Sequence, residues 1–428
     1  VVDEAILRGG GADLKRKNYW FLFAILLLSL TSLSQGQNLT SDSSRGEERK
    51  TSVWNPQPAS PEDTDPKPIR VVTHVNESDF NTLLDLNKAF VSETGIQVEL
   101  KNMPDADAYR QLTAALKVGE GPDIMLVNSP WIHPLALGGY ILPAESYQSS
   151  TTGSDVISPV SQMLEWNGYQ WGVPLDMDPY VLVWRRQAAL PGSGDALPGD
   201  KEWKEFAAKL ESRKDKQTIA LPSGDAYAFA AFMGAFGTEN PVNPSDEAME
   251  AIMKLRPSIR FIPSGDMPKA WSSLSEGGLA LMSVPYSAAS QANVDRMGFR
   301  VPERLYAANP FLLRGRSFAV SSQIEDPGKA AGWIAYMTSD TSLNLWTDST
   351  GYLPVRKKVY AQDGFPPATP PLSLDRLLQP SEGGALDRSL QSKWNDFAAA
   401  AKLFLSGKST DVQYRETMGG RPNEKASE

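Results

Sequence analysis

Asp176 and Asp178 stand two residues apart in the stretch WNGYQWGVPLDMDPYVLVW, which also carries Trp166, Tyr169, Trp171, Tyr180 and Trp184. In an extended strand, residues i and i+2 share a face with Cβ atoms ~7 Å apart, so both carboxylates can reach one bound molecule. Two chemistries use such a pair. One is glycoside hydrolysis, in which a protonated and an ionised carboxyl flank the scissile bond. The other is recognition, in which both acids accept hydrogen bonds from hydroxyls and break nothing. A general acid needs burial to raise its pKa, and the Asp178-Pro179 step gives no sign of it. Recognition is the expected role, with capping of nearby backbone amides as the plain alternative for one of the two.

Other chemistries are limited by composition. Cysteine is absent, which removes disulfides, thiolate metal sites and thiol nucleophiles. His74 and His133 are the only histidines, and neither stands in a metal-ligand spacing such as H-E-x-x-H, so both read as polar loop residues with no metal or cofactor implied. The 42 basic residues against 51 acidic ones leave a net charge of −9, which argues against a nucleic-acid partner. At 428 residues, 41% of them hydrophobic, the chain has material for about two domains.

The elements that must position the acids follow in order. A basic cluster, Lys15, Arg16 and Lys17, precedes an apolar run from Tyr19 to Leu33, the layout of an export signal with a cut expected after Ser34. As a helix that run reaches ~22 Å, short for a membrane anchor, which stays the second choice. Residues 35–68 are Ser, Thr, Asn, acidic residues and Pro, and read as an extended tether. Folding begins with IRVVTHV. Helical spacing from Phe80 to Val91, the strand IQVEL, a helix from Ala108 ending in Gly119 and the strand DIMLV complete a β-α-β-α-β pattern, which predicts a parallel, doubly wound sheet. Ligands of such sheets bind beyond the carboxyl ends of the strands, here at HVNES and VNSPW. Asn167-Gly168 predicts a hairpin, and Asp326-Pro327 a capped helix start. Helices are also expected around Trp203, Phe206 and Leu210 and from Leu386 to Leu405.

Five pieces carry a resemblance: GEGPDIMLVNSPWIHPLALGGYILP, GYQWGVPLDMDPYVLVWRR, EWKEFAAKLE, KAWSSLSEGGLALMSVPY and DPGKAAGWIAYMTSDTSLNLWTDSTGYLPVRKKVY. In this order they resemble the sugar-binding extracellular solute-binding proteins of ABC importers, the class of maltose-binding protein, over about Ile69 to Met418. The resemblance implies an α/β, two-lobed periplasmic-binding-protein-like fold of type II with a hinge between the lobes. It divides the chain into residues 69–174 plus 305–350 for the N-terminal lobe and 175–304 plus 351–418 for the C-terminal lobe, with a tail from 419 to 428. VPLDMDP falls at the first crossing. The end of the apolar run, SLSQGQ, lacks the lipid-attachment cysteine of many relatives.

By this resemblance the protein is an exported receptor that captures a carbohydrate and passes it to ABC permease transmembrane subunits as a monomer. A sensor that presents solute to a receptor kinase is the alternative, and a glycoside hydrolase the lesser one. Sugars offer flat apolar faces fringed with hydroxyls, so rings and short polar side chains are the candidates. Tyr286 and Trp394 match stacking positions of maltose-binding protein. Tyr227 and Trp131 divide evenly between cleft and core. Asn76, Glu77 and Asn128 lie at strand ends, where helix capping is the competing role for Asn76. With Asp176 and Asp178 they complete the expected ligand site.

Overall fold

The computed structural model describes residues 67–103, 107–148, 155–185, 205, 208–209, 212, 218–290, 297–360, 375–379 and 389–419. The expected export signal, nearly all of the tether, most of the helix around Trp203 and the tail after Gly419 lie outside the described residues. The folded body belongs to the compact unit from Asp65 to Glu428.

The opening pattern folds as read. Strand β1 (Ile69–Thr73) leads to helix α1 (Glu77–Thr94), capped by the Asn76 side chain and ended by Gly95 at φ 72°. Then come β2 (Val98–Asn102), helix α2 (Ala108–Lys117) and β3 (Ile124–Asn128). The Asn167-Gly168 turn, with both residues at positive φ, joins β4 (Glu165–Trp166) to β5 (Tyr169–Gln170). The D-x-D stretch supplies β6 (Val173–Met177) and, after a two-residue step, β7 (Tyr180–Arg185).

Strands β8 (Ile219–Pro222), β9 (Ile259–Ile262), β10 (Leu281–Pro285) and β11 (Met297–Arg300) follow, with helix α3 (Ala226–Ala235) between the first two. The chain then gives β12 (Arg316–Val320), helix α4 (Asp340–Thr350) and β13 (Leu353–Pro354), and ends in helices that include α5 (Trp394–Leu405).

Two sheets result. One has the order β13-β6-β12-β3-β1-β2 and the other β11-β7-β10-β8-β9. The α/β architecture is therefore two-lobed, and the step from Met177 to Tyr180 carries the chain from one sheet to the other. The expectation of parallel sheets holds for β1, β2 and β3, and in the second sheet for β9, β8 and β10, but not for the whole. Strands β12, β6 and β13 pair antiparallel, because they join the sheet through the crossings and not by βαβ turns.

Each sheet has its own core. Phe90, Trp333 and Trp346 are buried around the first, and Trp184, Phe229 and Phe397 around the second. Residues from Leu305 to Leu313 pack in the second core, so the return to the first sheet comes at Arg316.

Candidate functional site

Asp176 and Asp178 do not share one open face. Asp176, on β6, is 1% exposed and meets Arg316 at the start of β12. Arg316 Nε donates to Asp176 Oδ1 at 3.0 Å, its Nη2 donates to Oδ2, and Trp346 Nε1 donates to the same Oδ2 at 2.7 Å. On the other side Arg316 Nη1 lies 3.3 Å from Asp79 Oδ2, which also accepts from the Tyr352 hydroxyl at 2.6 Å. Every charge in this group has a partner, as burial requires.

Asp178 takes a different set. Its Oδ1 accepts from the Ser287 amide at 2.9 Å and its Oδ2 from the Ser287 hydroxyl at 3.1 Å, while Arg314 Nη1 stands 3.6 Å away. The residue is 6% exposed, which corrects the expectation that this acid lies open. Burial pushes its carboxyl above the ordinary value, with Arg314 and the Ser287 bonds pulling the other way. D-x-D thus meets R-x-R: Asp176 pairs with Arg316, and Asp178 faces Arg314. Gly315 separates the two arginines where a Cβ would lie 3.1 Å from Ser129 Oγ and 3.2 Å from the Asp176 carbonyl.

Around Arg314 the rings gather. Its guanidinium carbon lies 5.3 Å from the Tyr180 ring centre and 5.4 Å from that of Tyr227. The two rings are nearly parallel at 6.3 Å, and Trp394, at the start of α5, contacts Tyr227 at 4.7 Å and Phe311 at 5.2 Å. Asp225 caps α3 by accepting from the Tyr227 and Ala228 amides, and it also accepts from the Tyr180 hydroxyl. Burial raises both tyrosine pKa values, so the hydroxyls are neutral donors. Tyr227 and Trp394 are half-buried and retain exposed surface.

The first lobe reaches this cluster through β3. Asn128 is registered with Arg316, and the Ser129 amide donates to the Gly315 carbonyl at 2.7 Å. Asn128 is half-buried. Trp131 stacks on His74 at 5.6 Å and touches Tyr109 at 5.0 Å. His74, read as an ordinary loop residue, is half-buried and bonded through Nδ1 to the Met103 carbonyl at 2.6 Å. Asn76 and Glu77 are exposed at the α1 N-terminus, and the Asn76 side chain is occupied in capping Asp79 N. Tyr286 is 3% exposed and packs in the second core, so its ring offers no stacking face in this conformation.

Sequence reasoning did not single out Arg314, Tyr180 and Asp225, which the fold brings together beside Asp178 and Tyr227. The repeat of charge in RGR opposite DMD was their one readable signal. Among the described residues no group of three or more acidic or histidine side chains is arranged to hold a metal, and no helix is long and apolar enough to cross a membrane.

A model of the bacterial extracellular solute-binding proteins matches residues 85–371. The maltotriose-binding protein of Pyrococcus abyssi is 23% identical over 199 residues, 44% of this chain and 42% of that protein, so the chain spans less than half the length of this curated relative. Among solved structures, the GacH receptor of Streptomyces glaucescens, studied without ligand and with acarbose, superposes with a TM-score of 0.59 at 17% identity, covering 82% of this chain and 97% of that one. The sugar-binding protein MalE of Xanthomonas citri gives 0.63 at 14% identity, over 82% and 96%. These likenesses are of fold.

Proposed function

The chain belongs to the bacterial extracellular solute-binding protein family, and from that premise we propose that it captures an oligosaccharide or glycoside between its lobes and delivers it to the transmembrane subunits of an ABC permease. The observation that carries the reading is the gathering of half-exposed Tyr227 and Trp394 with Arg314 and Asp178 where the chain crosses between sheets. Rings supply a stacking surface, and the polar groups beside them supply directed hydrogen bonds. On the first lobe the proposal assigns ligand contacts to Asn128, registered with Arg316, and to Trp131, Asn76 and Glu77. The names of the relatives support a sugar: one is a maltotriose-binding protein, and another was studied with acarbose.

Binding without turnover is part of the proposal. Asp176 is bound to Arg316 and Trp346, so it cannot act as the second carboxyl of a hydrolytic pair. Export through the segment Tyr19–Leu33, with processing after Ser34, is also proposed, and mature protein should begin near Gln35. The test is a tryptophan-fluorescence titration with a panel of oligosaccharides, followed by chromatography of the mixtures. Saturable binding with the sugar recovered intact supports the receptor; hydrolysis products, or no binding across the panel, would reject it.

A further inference from the structure

We propose that Arg314 is a ligand-binding residue that donates hydrogen bonds to the oxygens of an uncharged sugar and sets a preference for neutral over acidic glycans. The inference rests on the reading of the chain as a sugar receptor. Its basis is the contrast between two arginines two positions apart. Arg316 is buried and its guanidinium donates three hydrogen bonds to Asp176 and a fourth to Asp79. Arg314 makes no side-chain hydrogen bond among the described residues. Its nearest carboxylate oxygen is at 3.6 Å, beyond hydrogen-bond reach, and 36% of its side chain is exposed.

The guanidinium is nevertheless held in place. Tyr180 and Tyr227 lie against it at 5.3 and 5.4 Å, so its position is set by ring contacts that leave its N–H donors available. Its backbone sits at φ 53°, a left-handed conformation that costs a branched or long residue free energy and that glycine or asparagine would adopt more readily. A strained residue at such a place is a pointer to function. The next residue, Gly315, accepts from the amide of Ser129 just beyond β3, which places Arg314 at the carboxyl end of a sheet strand, where α/β proteins bind ligands.

Charge selects the class of ligand. Asp178 stands 3.6 Å from the guanidinium, and Asp225 is bonded to the Tyr180 hydroxyl beneath it. Two carboxylates around one guanidinium leave no net positive charge for an acidic sugar, whose own carboxylate would meet both. Hydroxyl and ring oxygens carry no such penalty and still accept from the planar fork of donors.

Calorimetric titration of the mature protein with maltotriose, cellotriose and xylotriose as neutral probes, and trigalacturonate as the acidic one, tests this. Wild type should bind at least one neutral probe and prefer it to trigalacturonate by more than about ten-fold. Arg314→Gln should weaken that binding about ten-fold or more, the effect of losing hydrogen bonds from a charged donor. Arg314→Lys, which keeps the charge but loses the fork, should fall between. Because Arg314 faces buried Asp178, the melting temperature without sugar is measured for both variants so that affinity is read on folded protein, and if Arg314→Gln does not fold, the lysine variant carries the comparison. Unchanged affinity in both variants, or tighter binding of trigalacturonate, would overturn the inference while leaving the receptor reading intact. Failure of wild type to bind any probe overturns both.

Discussion

Arg316 and Asp176 are 140 residues apart in sequence and directly opposite in register, the first on β12 and the second on β6, with Nε to Oδ1 at 3.0 Å. Both strands belong to crossings, so this pair ties two of the segments on which the lobes hang. Tyr352, just before β13, stacks its ring 4.0 Å from the Arg316 guanidinium and brings in the third. The lock is buried, which makes its members depend on one another.

Removing one partner of this pair should therefore cost more than the pair contributes. Asp176→Asn removes the carboxylate that takes three of the four Arg316 hydrogen bonds and leaves Asp79 as its one charged partner, and the expected loss in urea unfolding is about 3–5 kcal/mol. A double variant, Asp176→Leu with Arg316→Met, removes this pair and leaves Asp79 with the Tyr352 hydroxyl, and its loss should fall short of the sum of the two single losses. Additive losses would mean the two residues act independently.

Asp178 yields a pH dependence of definite sign. Burial raises its carboxyl above 3.8 in the folded protein, so the folded state holds this proton more tightly than the unfolded chain does. Its contribution is fully present below the unfolded value and is lost as pH rises through the higher folded one. Asp178→Asn removes that titration. The stability of the variant relative to wild type should climb as pH increases from about 4, whatever the constant offset from its altered bonds to Ser287. Chemical denaturation at a series of pH values reads the slope, and a falling relative stability would contradict the assignment.

How far these relationships were legible depends on their range. Asn76 capping α1, Gly95 ending it, the Asn167-Gly168 turn and Asp326-Pro327 are signals that act within a few residues, and all four stand in the structure. The stretch VPLDM, buried at every position and without alternation, was placed at a crossing by the resemblance alone. Which side chains it would face was not legible. Asp176 was indistinguishable from a ligand contact until β12 arrived opposite it, and the positive φ of Arg314 leaves no mark in an arginine codon for conformation. Tyr286 and Trp394 show the same limit: both are aromatic residues at the start of a helix, and the docking of that helix decides which ring is enclosed.

Those two rings should now separate in experiment. Tyr286→Ala opens a hole in the second core and should lower stability by about 3–5 kcal/mol, in the range for large buried aromatics. Trp394→Ala removes a half-exposed ring from the Tyr227 and Phe311 cluster. Its expected effect is a loss of sugar affinity of roughly 1–3 kcal/mol with a smaller change in melting temperature. Calorimetric melting and titration of both variants distinguish them, and the reverse pattern would return Trp394 to the core and Tyr286 to the site.

The packing beside Asp178 can be read at a glycine that closes a helix. Gly95 and Gly351 end α1 and α4 in the same left-handed conformation, at φ 72° and 74°. A Cβ on Gly95 would meet nothing within 4 Å, whereas on Gly351 it would lie 2.3 Å from Ser290 Oγ and 3.1 Å from the Ser287 carbonyl. The Ser290 hydroxyl can rotate away, but the Ser287 backbone is held by the hydrogen bond its N–H donates to the Asp178 carboxylate. Gly95→Ala should then cost only the left-handed penalty, about 1–2 kcal/mol, and Gly351→Ala more. The excess should shrink in an Asp178→Ala background, where the helix carrying Ser287 is released to move. Equal costs for the two alanine variants, or an excess unaffected by Asp178→Ala, would mean that the carboxylate does not fix Ser287 against the last crossing.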